Sequence, residues 1–209
     1  MGTVEHLYRS AEGLGFRAAE SGDGRTIEGI AVPYNVRQRI TDDLTEMFIP
    51  GSFADQIRTA ERGRASATAV PAYRMALTRN HESQGGTVIG RAVAMEERAE
   101  GLWVALRVSQ TPAGDETLTL VRDGVLDELS IGFRVRQGWS RADTDGTVIR
   151  TRAEAFETAI VMRGAYGRGA VVAGVRSETE ESYVDPDLVR RSLAEFQSHP
   201  AVLFADQNR

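Results

Sequence analysis

The 209-residue chain contains no cysteine. That excludes disulfides, thiolate metal sites and a cysteine nucleophile. It fits a reducing compartment. Histidine is almost as scarce, with three in the whole chain: His6, His81 and His199. One histidine in the body of the chain cannot build a zinc site from histidine ligands, and no His-Glu-x-x-His is present. No apolar run reaches the ~18–20 residues that a membrane span requires. The first twenty residues lack a basic start followed by an apolar stretch, so no secretory signal is expected. Basic excess is absent too. The formal charge is −5, which argues against free nucleic acid as a partner. No cofactor motif stands out: Gly167-Arg168-Gly169 lacks the glycine spacing of a dinucleotide site. Asp143-x-Asp145-Gly146 resembles the start of a calcium loop but has no glutamate at the twelfth position, so a hairpin turn is expected there.

What remains is an ordinary globular composition, 41% hydrophobic and 26% charged. It is enough for a self-sufficient core in one domain. Periodicity and turn residues predict many short strands. Phe16–Glu20 and Thr26–Val32 flank the Gly-rich turn Ser21-Gly22-Asp23-Gly24 and predict a hairpin. Asn35 to Met47 reads as polar and irregular. A short helix is expected over about Phe53–Glu61, with Ser52 as N-cap and Asp55 in its first turn. Arg62 to Ala69 reads as an exposed loop. Strands follow at about Tyr73–Thr78, Val88–Glu96 and Gly101–Val108. Thr111-Pro112 opens a second helix, whose buried side carries Leu118, Val121 and Leu126 and which Asp123-Gly124 ends. Further strands are expected at Leu129–Arg136, Thr147–Arg152, Ala155–Met162 and Ala170–Val175. The pattern is a β-rich α+β fold, a closed or curled β-barrel with a few peripheral helices. Ser177 to Asp187 holds five acids and no base, which reads as a linker. The expected organisation is therefore a body over 1–176 and an acidic, mobile tail over 177–209.

His6 and His199 lie near the termini, poor places to hold a rigid site. His81 lies in the body, just past a predicted strand, and imidazole is the natural general base near neutral pH. Taken alone, a central histidine is more often structural. Ser130 sits in Glu128-Leu129-Ser130-Ile131-Gly132-Phe133, an apolar strand. A serine there is either satisfied by backbone or a nucleophile on a rigid element. Gly132 favours a bulge or the close approach of another backbone, and a substrate strand alongside would need that room. The Gly-x-Ser-x-Gly elbow of α/β-hydrolases is absent.

Taken in order, four segments resemble the prohead proteases of tailed phages, serine peptidases whose fold resembles the herpesvirus assemblins. Gly29-Ile30-Ala31-Val32-Pro33-Tyr34-Asn35 is similar to that family's opening strand, and Ile49-Pro50-Gly51-Ser52-Phe53 to its first helix start. Asn80-His81-Glu82, followed by Ile89-Gly90-Arg91 and Gly101-Leu102, resembles its Asn-His-acid region. Leu129-Ser130-Ile131-Gly132-Phe133 resembles its nucleophile motif. The resemblance spans roughly residues 15–175 and implies a herpesvirus-protease-like barrel, with Ser130 as nucleophile and His81 as base. The third member would be an acid in a late strand. Glu157-Thr158-Ala159-Ile160-Val161 matches that position, with Thr158-Ala159 in place of Val-Ser and Gly164 in place of a proline.

Glu157, rather than Glu82, is thus expected against the far nitrogen of His81. The loop Arg163 to Arg168 is the expected oxyanion site, through the backbone N–H groups of Gly164 and Ala165. The resemblance implies cleavage of the major capsid protein or scaffold, and of the protease itself, inside the assembling prohead in the host cytoplasm. It implies no cofactor, no metal, no nucleic acid and no membrane, and leaves self-association as a homo-dimer or larger open. Two rival readings keep the same body: a non-catalytic barrel that binds scaffold or capsid subunits, and a serine hydrolase of small esters.

Overall fold

The computed structural model describes residues 5–10, 23–64, 66, 71–162 and 172–177, with the backbone alone described for 5–10 and 172–177. The described residues form twelve strands, two α-helices and one short 3-10 turn. In chain order these are β1 (Glu5–Ser10), β2 (Asp23–Pro33), β3 (Gln38–Thr41), β4 (Leu44–Phe48), α1 (Ala54–Arg62), β5 (Ala76–Arg79), β6 (Thr87–Glu97) and β7 (Gly101–Val108). Then come α2 (Pro112–Arg122), β8 (Glu128–Val135), β9 (Ser140–Ala142), β10 (Val148–Arg150), β11 (Glu154–Val161) and β12 (Val172–Ser177).

One sheet has the order β1-β8-β11-β5-β6-β7-β2-β12. It curls on itself. β2 and β8 have β11, β5, β6 and β7 between them in the sheet, yet they meet across the interior. The accumulated right-handed twist of a long, mostly antiparallel sheet makes that closure natural. The core it encloses includes Ile27, Leu77, Leu102, Leu106, Leu118, Leu129, Ile131 and Phe133, each at or below 1% exposure. Phe48 stacks on Phe53 and meets Phe133 edge-on, with ring centroids 5.6 and 5.1 Å apart. A smaller sheet, β3-β4-β10-β9, flanks it. Arg150 of β10 is buried there against Glu46 of β4, with Nε 3.0 Å from Oε2.

The expected β-rich α+β architecture is the one observed. Differences lie in detail. Asn35 to Met47 contains β3 and most of β4, a ribbon with too few apolar residues to stand out by pattern. The helix α1 is capped otherwise than expected. Its N-cap residue is Phe53, without a side-chain cap. Ser52 Oγ donates to backbone carbonyls instead, among them Arg150 O at 2.8 Å. Glu97, distant in sequence, accepts from the N–H groups of Gly51 and Phe53 at 2.7 and 2.8 Å. A carboxylate thus reaches the N-terminal end of α1 from another strand and supplies the charge that such an end favours. In α2, Thr111 caps as expected, accepting from Gly114 N at 3.1 Å, and Pro112 fills the first turn. The turn at Asp143–Gly146 is a hairpin turn held by Arg37, which pairs with Asp143 and Asp145. The segment Phe16–Glu20 and the tail beyond residue 177 lie outside the described residues. β1 had no counterpart in the sequence reading.

Candidate active site

The site rests on the period of two along β8. Leu129, Ile131 and Phe133 are fully buried and point into the core. Ser130 and Gly132 therefore face the opposite side of the sheet. β11 runs beside β8, and its register slips between Ala155 and Glu157. Ala155 lies opposite Phe133, but Glu157, not Phe156, lies opposite Gly132. That bulge inserts one residue and reverses the alternation. Without it, Glu157 would share the face of Ala155 and enter the core. With it, Glu157 and Ala159 share the face of Ser130 and Gly132. β5 pairs in parallel with the far edge of β11 and sets Thr78 level with Ala159. The result is a row Ser130, Ala159, Thr78 across three strands, with only a methyl group in the middle.

His81 enters this row from a turn rather than from a strand. β5 ends at Arg79, and Asn80 adopts a left-handed conformation at φ 59°, a conformation that asparagine tolerates better than most residues. The next residues form the short 3-10 turn Glu82–Gln84. The carbonyl of His81 accepts from the N–H groups of Gln84 and Gly86 at 2.8 and 2.9 Å. Gly86 packs so closely that a Cβ there would lie 2.1 Å from the Asn80 carbonyl oxygen. The imidazole is thereby carried back over the sheet. His81 and Ser130 do not come from adjacent strands. In the structure β11 lies between β8 and β5, and the ring spans it.

Two contacts join the three side chains. His81 Nε2 lies 2.5 Å from Ser130 Oγ. His81 Nδ1 lies 3.0 Å from Glu157 Oε2. The other carboxylate oxygen accepts from the Thr78 hydroxyl at 2.7 Å and from the backbone N–H of Glu82 at 2.9 Å. The side chain of Glu82 is exposed, and only its amide serves the site. Burial raises the pKa of Glu157, but hydrogen bonds from His81, Thr78 and the Glu82 amide outweigh it, holding the carboxyl below its ordinary value. An ionised Glu157 fixes the proton of the imidazole on Nδ1. The lone pair at Nε2 then accepts from the Ser130 hydroxyl. The arrangement can draw a proton from an alcohol and stabilise the imidazolium that results.

Thr78 and the Glu82 amide were missed in the sequence. Thr78 carried a signal, two residues ahead of Asn80 in an alternating strand, but nothing local ties it to an acid 79 positions away. Gly164 and Ala165 lie outside the described residues. Beside the site, Asn80, Gln84, Val125, Val161 and Met162 line a depression of about 550 Å³. Val125 and Met162 leave 49% and 67% of their surface exposed.

The family model described as the caudovirus prohead serine protease matches residues 13–183. A search of curated protein sequences finds no match. Among solved structures, that of the bacteriophage T4 capsid assembly protease, gp21, is similar with a TM-score of 0.52 at 11% identity. The similarity covers 76% of this chain and 97% of that one, a likeness of fold.

Proposed function

The chain belongs to the caudovirus prohead serine protease family, and on that premise we propose that Ser130, His81 and Glu157 perform its peptide hydrolysis. The observation that carries this assignment is the continuous hydrogen-bonded path from Ser130 through His81 to Glu157. Ser130 Oγ attacks the scissile carbonyl carbon while its proton passes to His81 Nε2. The tetrahedral oxyanion that forms needs two aimed donors, and the backbone N–H groups of Gly164 and Ala165 fill that role. Collapse breaks the C–N bond, and the imidazolium returns the proton to the leaving amine. Water, deprotonated by the same imidazole, then releases the acyl group and regenerates the serine. Glu157 keeps the ring in the required tautomer, and Thr78 and the Glu82 amide hold Glu157.

The substrates are the scaffold and scaffold-like segments of the major capsid protein, cleaved within the assembling prohead in the host cytoplasm. The protease also cleaves itself, and the acidic stretch after residue 177 is the segment it removes. An open depression lined by exposed apolar side chains suits a peptide side chain better than an enclosed small ester. A barrel that only binds capsid subunits would have no use for a buried Ser–His–Glu path, since each buried polar group costs free energy unless partnered. Co-expression with the cognate capsid protein tests the assignment. Native protein shortens the capsid protein on a gel and Ser130→Ala leaves it intact. Equal shortening by both would refute it.

A further inference from the structure

The nucleophile strand has a neighbour that this mechanism does not use. One edge of β8 is taken by β11, which carries Glu157. The other is paired with β1 in antiparallel register, from Glu5 opposite Val135 to Ser10 opposite Ser130. β1 therefore runs along β8 and brings its last residue level with the nucleophile. It is the terminal strand of the sheet among the described residues. Ser130 and His81 keep only 3% and 5% of their surface exposed. Little of either side chain meets solvent in this conformation.

An extended peptide is held against a protein most simply by adding as a strand to a sheet edge, where main-chain hydrogen bonds fix its register. On β8 that edge is the one β1 holds. Attack requires the carbonyl carbon within ~3–3.5 Å of the nucleophile. β1 ends level with Ser130 on that edge, so a peptide can pair there and bring its scissile carbonyl to Ser130 only once β1 has left. We propose that β1 is an intramolecular occupant of the substrate's strand position, and that its release from β8 opens the site to an extended peptide. The inference rests on Ser130 being the nucleophile. It also orients the substrate. A peptide replacing β1 runs antiparallel to β8, with its acyl side along Ile131 to Val135. Its leaving side passes Ser130 toward Glu128, which pairs with Val161. There Asn80 and Gln84, either side of His81 in sequence, line the depression with Val125 and Met162. That is the side on which His81 must protonate the departing amine.

Because the chain has no cysteine, a reversible lock can be built in the full-length protein. His6 and Arg134 are directly opposed, and opposed Cα atoms of antiparallel strands lie about 4.5–5.5 Å apart, within the span of a disulfide. The variant with His6→Cys and Arg134→Cys is treated with a peptidyl phosphonate bearing Leu-Tyr-Arg-Ser, the sequence of residues 7–10, on its acyl side. Oxidation should slow labelling of Ser130 at least about tenfold, as expected when the competent state falls below a tenth of the population, and reduction should restore it. Equal rates in the two states, or failure of the disulfide to form, overturn the inference. If the cysteine pair does not fold, Leu7→Pro and Tyr8→Pro replace it. One of these two removes a ladder hydrogen bond, and it should label faster than native; no change in either overturns the inference. A small alkyl fluorophosphonate, with Ser130→Ala as blank, separates the two levels. If it fails to label the native protein, the nucleophile assignment falls. If it labels while the peptidyl rates stay equal, only the role of β1 falls.

Discussion

Replacing Glu157 with glutamine keeps the shape of the side chain and removes its charge, so it isolates what the carboxylate does for His81. Oε1 accepts from the Thr78 hydroxyl and the Glu82 amide, and Oε2 accepts from His81 Nδ1. Glutamine has one carbonyl oxygen. The Glu82 amide is a backbone donor that cannot rotate away or accept, so it holds that oxygen at the Oε1 position. The glutamine NH2 then faces Nδ1. Two donors cannot face each other, so the imidazole moves its proton to Nε2 and directs an N–H at Ser130 Oγ. The base then offers the nucleophile a proton instead of a lone pair. The same tautomer error in a Ser-His-carboxylate site lowers turnover by about 10⁴, equivalent to ~5.5 kcal/mol on the barrier. Single-turnover cleavage of a capsid–scaffold substrate measures it. Glu82→Gln, which keeps the serving amide and alters only an exposed side chain, should stay within about twofold of native. Retention of more than a tenth of native turnover by Glu157→Gln, or an equal loss in Glu82→Gln, would refute the reasoning.

Three further outcomes follow from the same contacts. Gly86→Ala puts a Cβ 2.1 Å from Asn80 O and 2.7 Å from the His81 carbonyl carbon; the backbone must shift, which should cost about 1–3 kcal/mol in urea unfolding and slow Ser130 labelling in the folded fraction. Arg150→Met removes the buried guanidinium that holds fully buried Glu46 through Nε and Nη2 at 3.0 and 2.9 Å, and should cost about 3–5 kcal/mol, most of it recovered by adding Glu46→Leu. The folded-state pKa of Glu157 lies below its ordinary 4.5, so its ionised form contributes stability that is fully present above that value and is lost as pH falls through the folded pKa. Denaturant midpoints of native protein and Glu157→Gln should therefore keep a constant gap above about pH 5 and converge as the solution is made more acidic.

The sequence made the nucleophile strand legible because its chemistry is local. Leu129, Ile131 and Phe133 alternate with Ser130 and Gly132, and a period of two is read directly from neighbours. α2 was legible for the same reason, since Thr111-Pro112 and Asp123-Gly124 punctuate it in place. The cap of α1 was not, because it comes from Glu97, and no short-range pattern links Gly51 and Phe53 to a carboxylate more than forty residues on. β3 and β4 escaped because a small flanking ribbon stabilised by pairing carries little apolar alternation. β1 escaped because His6, Leu7 and Tyr8 say nothing of the strand edge that receives them.

Glu157 is the instructive case. Its candidacy came from resemblance to a family motif, while simple alternation along Ala155-Phe156-Glu157-Thr158 would bury it beside Ala155. The slip in register between Ala155 and Glu157 turns it to the face of Ser130, and there three donors hold it ionised. A bulge arises from how two strands fit together, so it leaves no mark in the composition of either strand alone. The position opposite it is Gly132, which adds no side chain on the face that carries Ser130 and Glu157. The glycine that sequence reading took for a bulge or a close approach by another backbone therefore lies where the bulge is, but the inserted residue is on the partner strand. The acid of this site is set by that irregularity in pairing, and the nucleophile by regular alternation on the strand beside it.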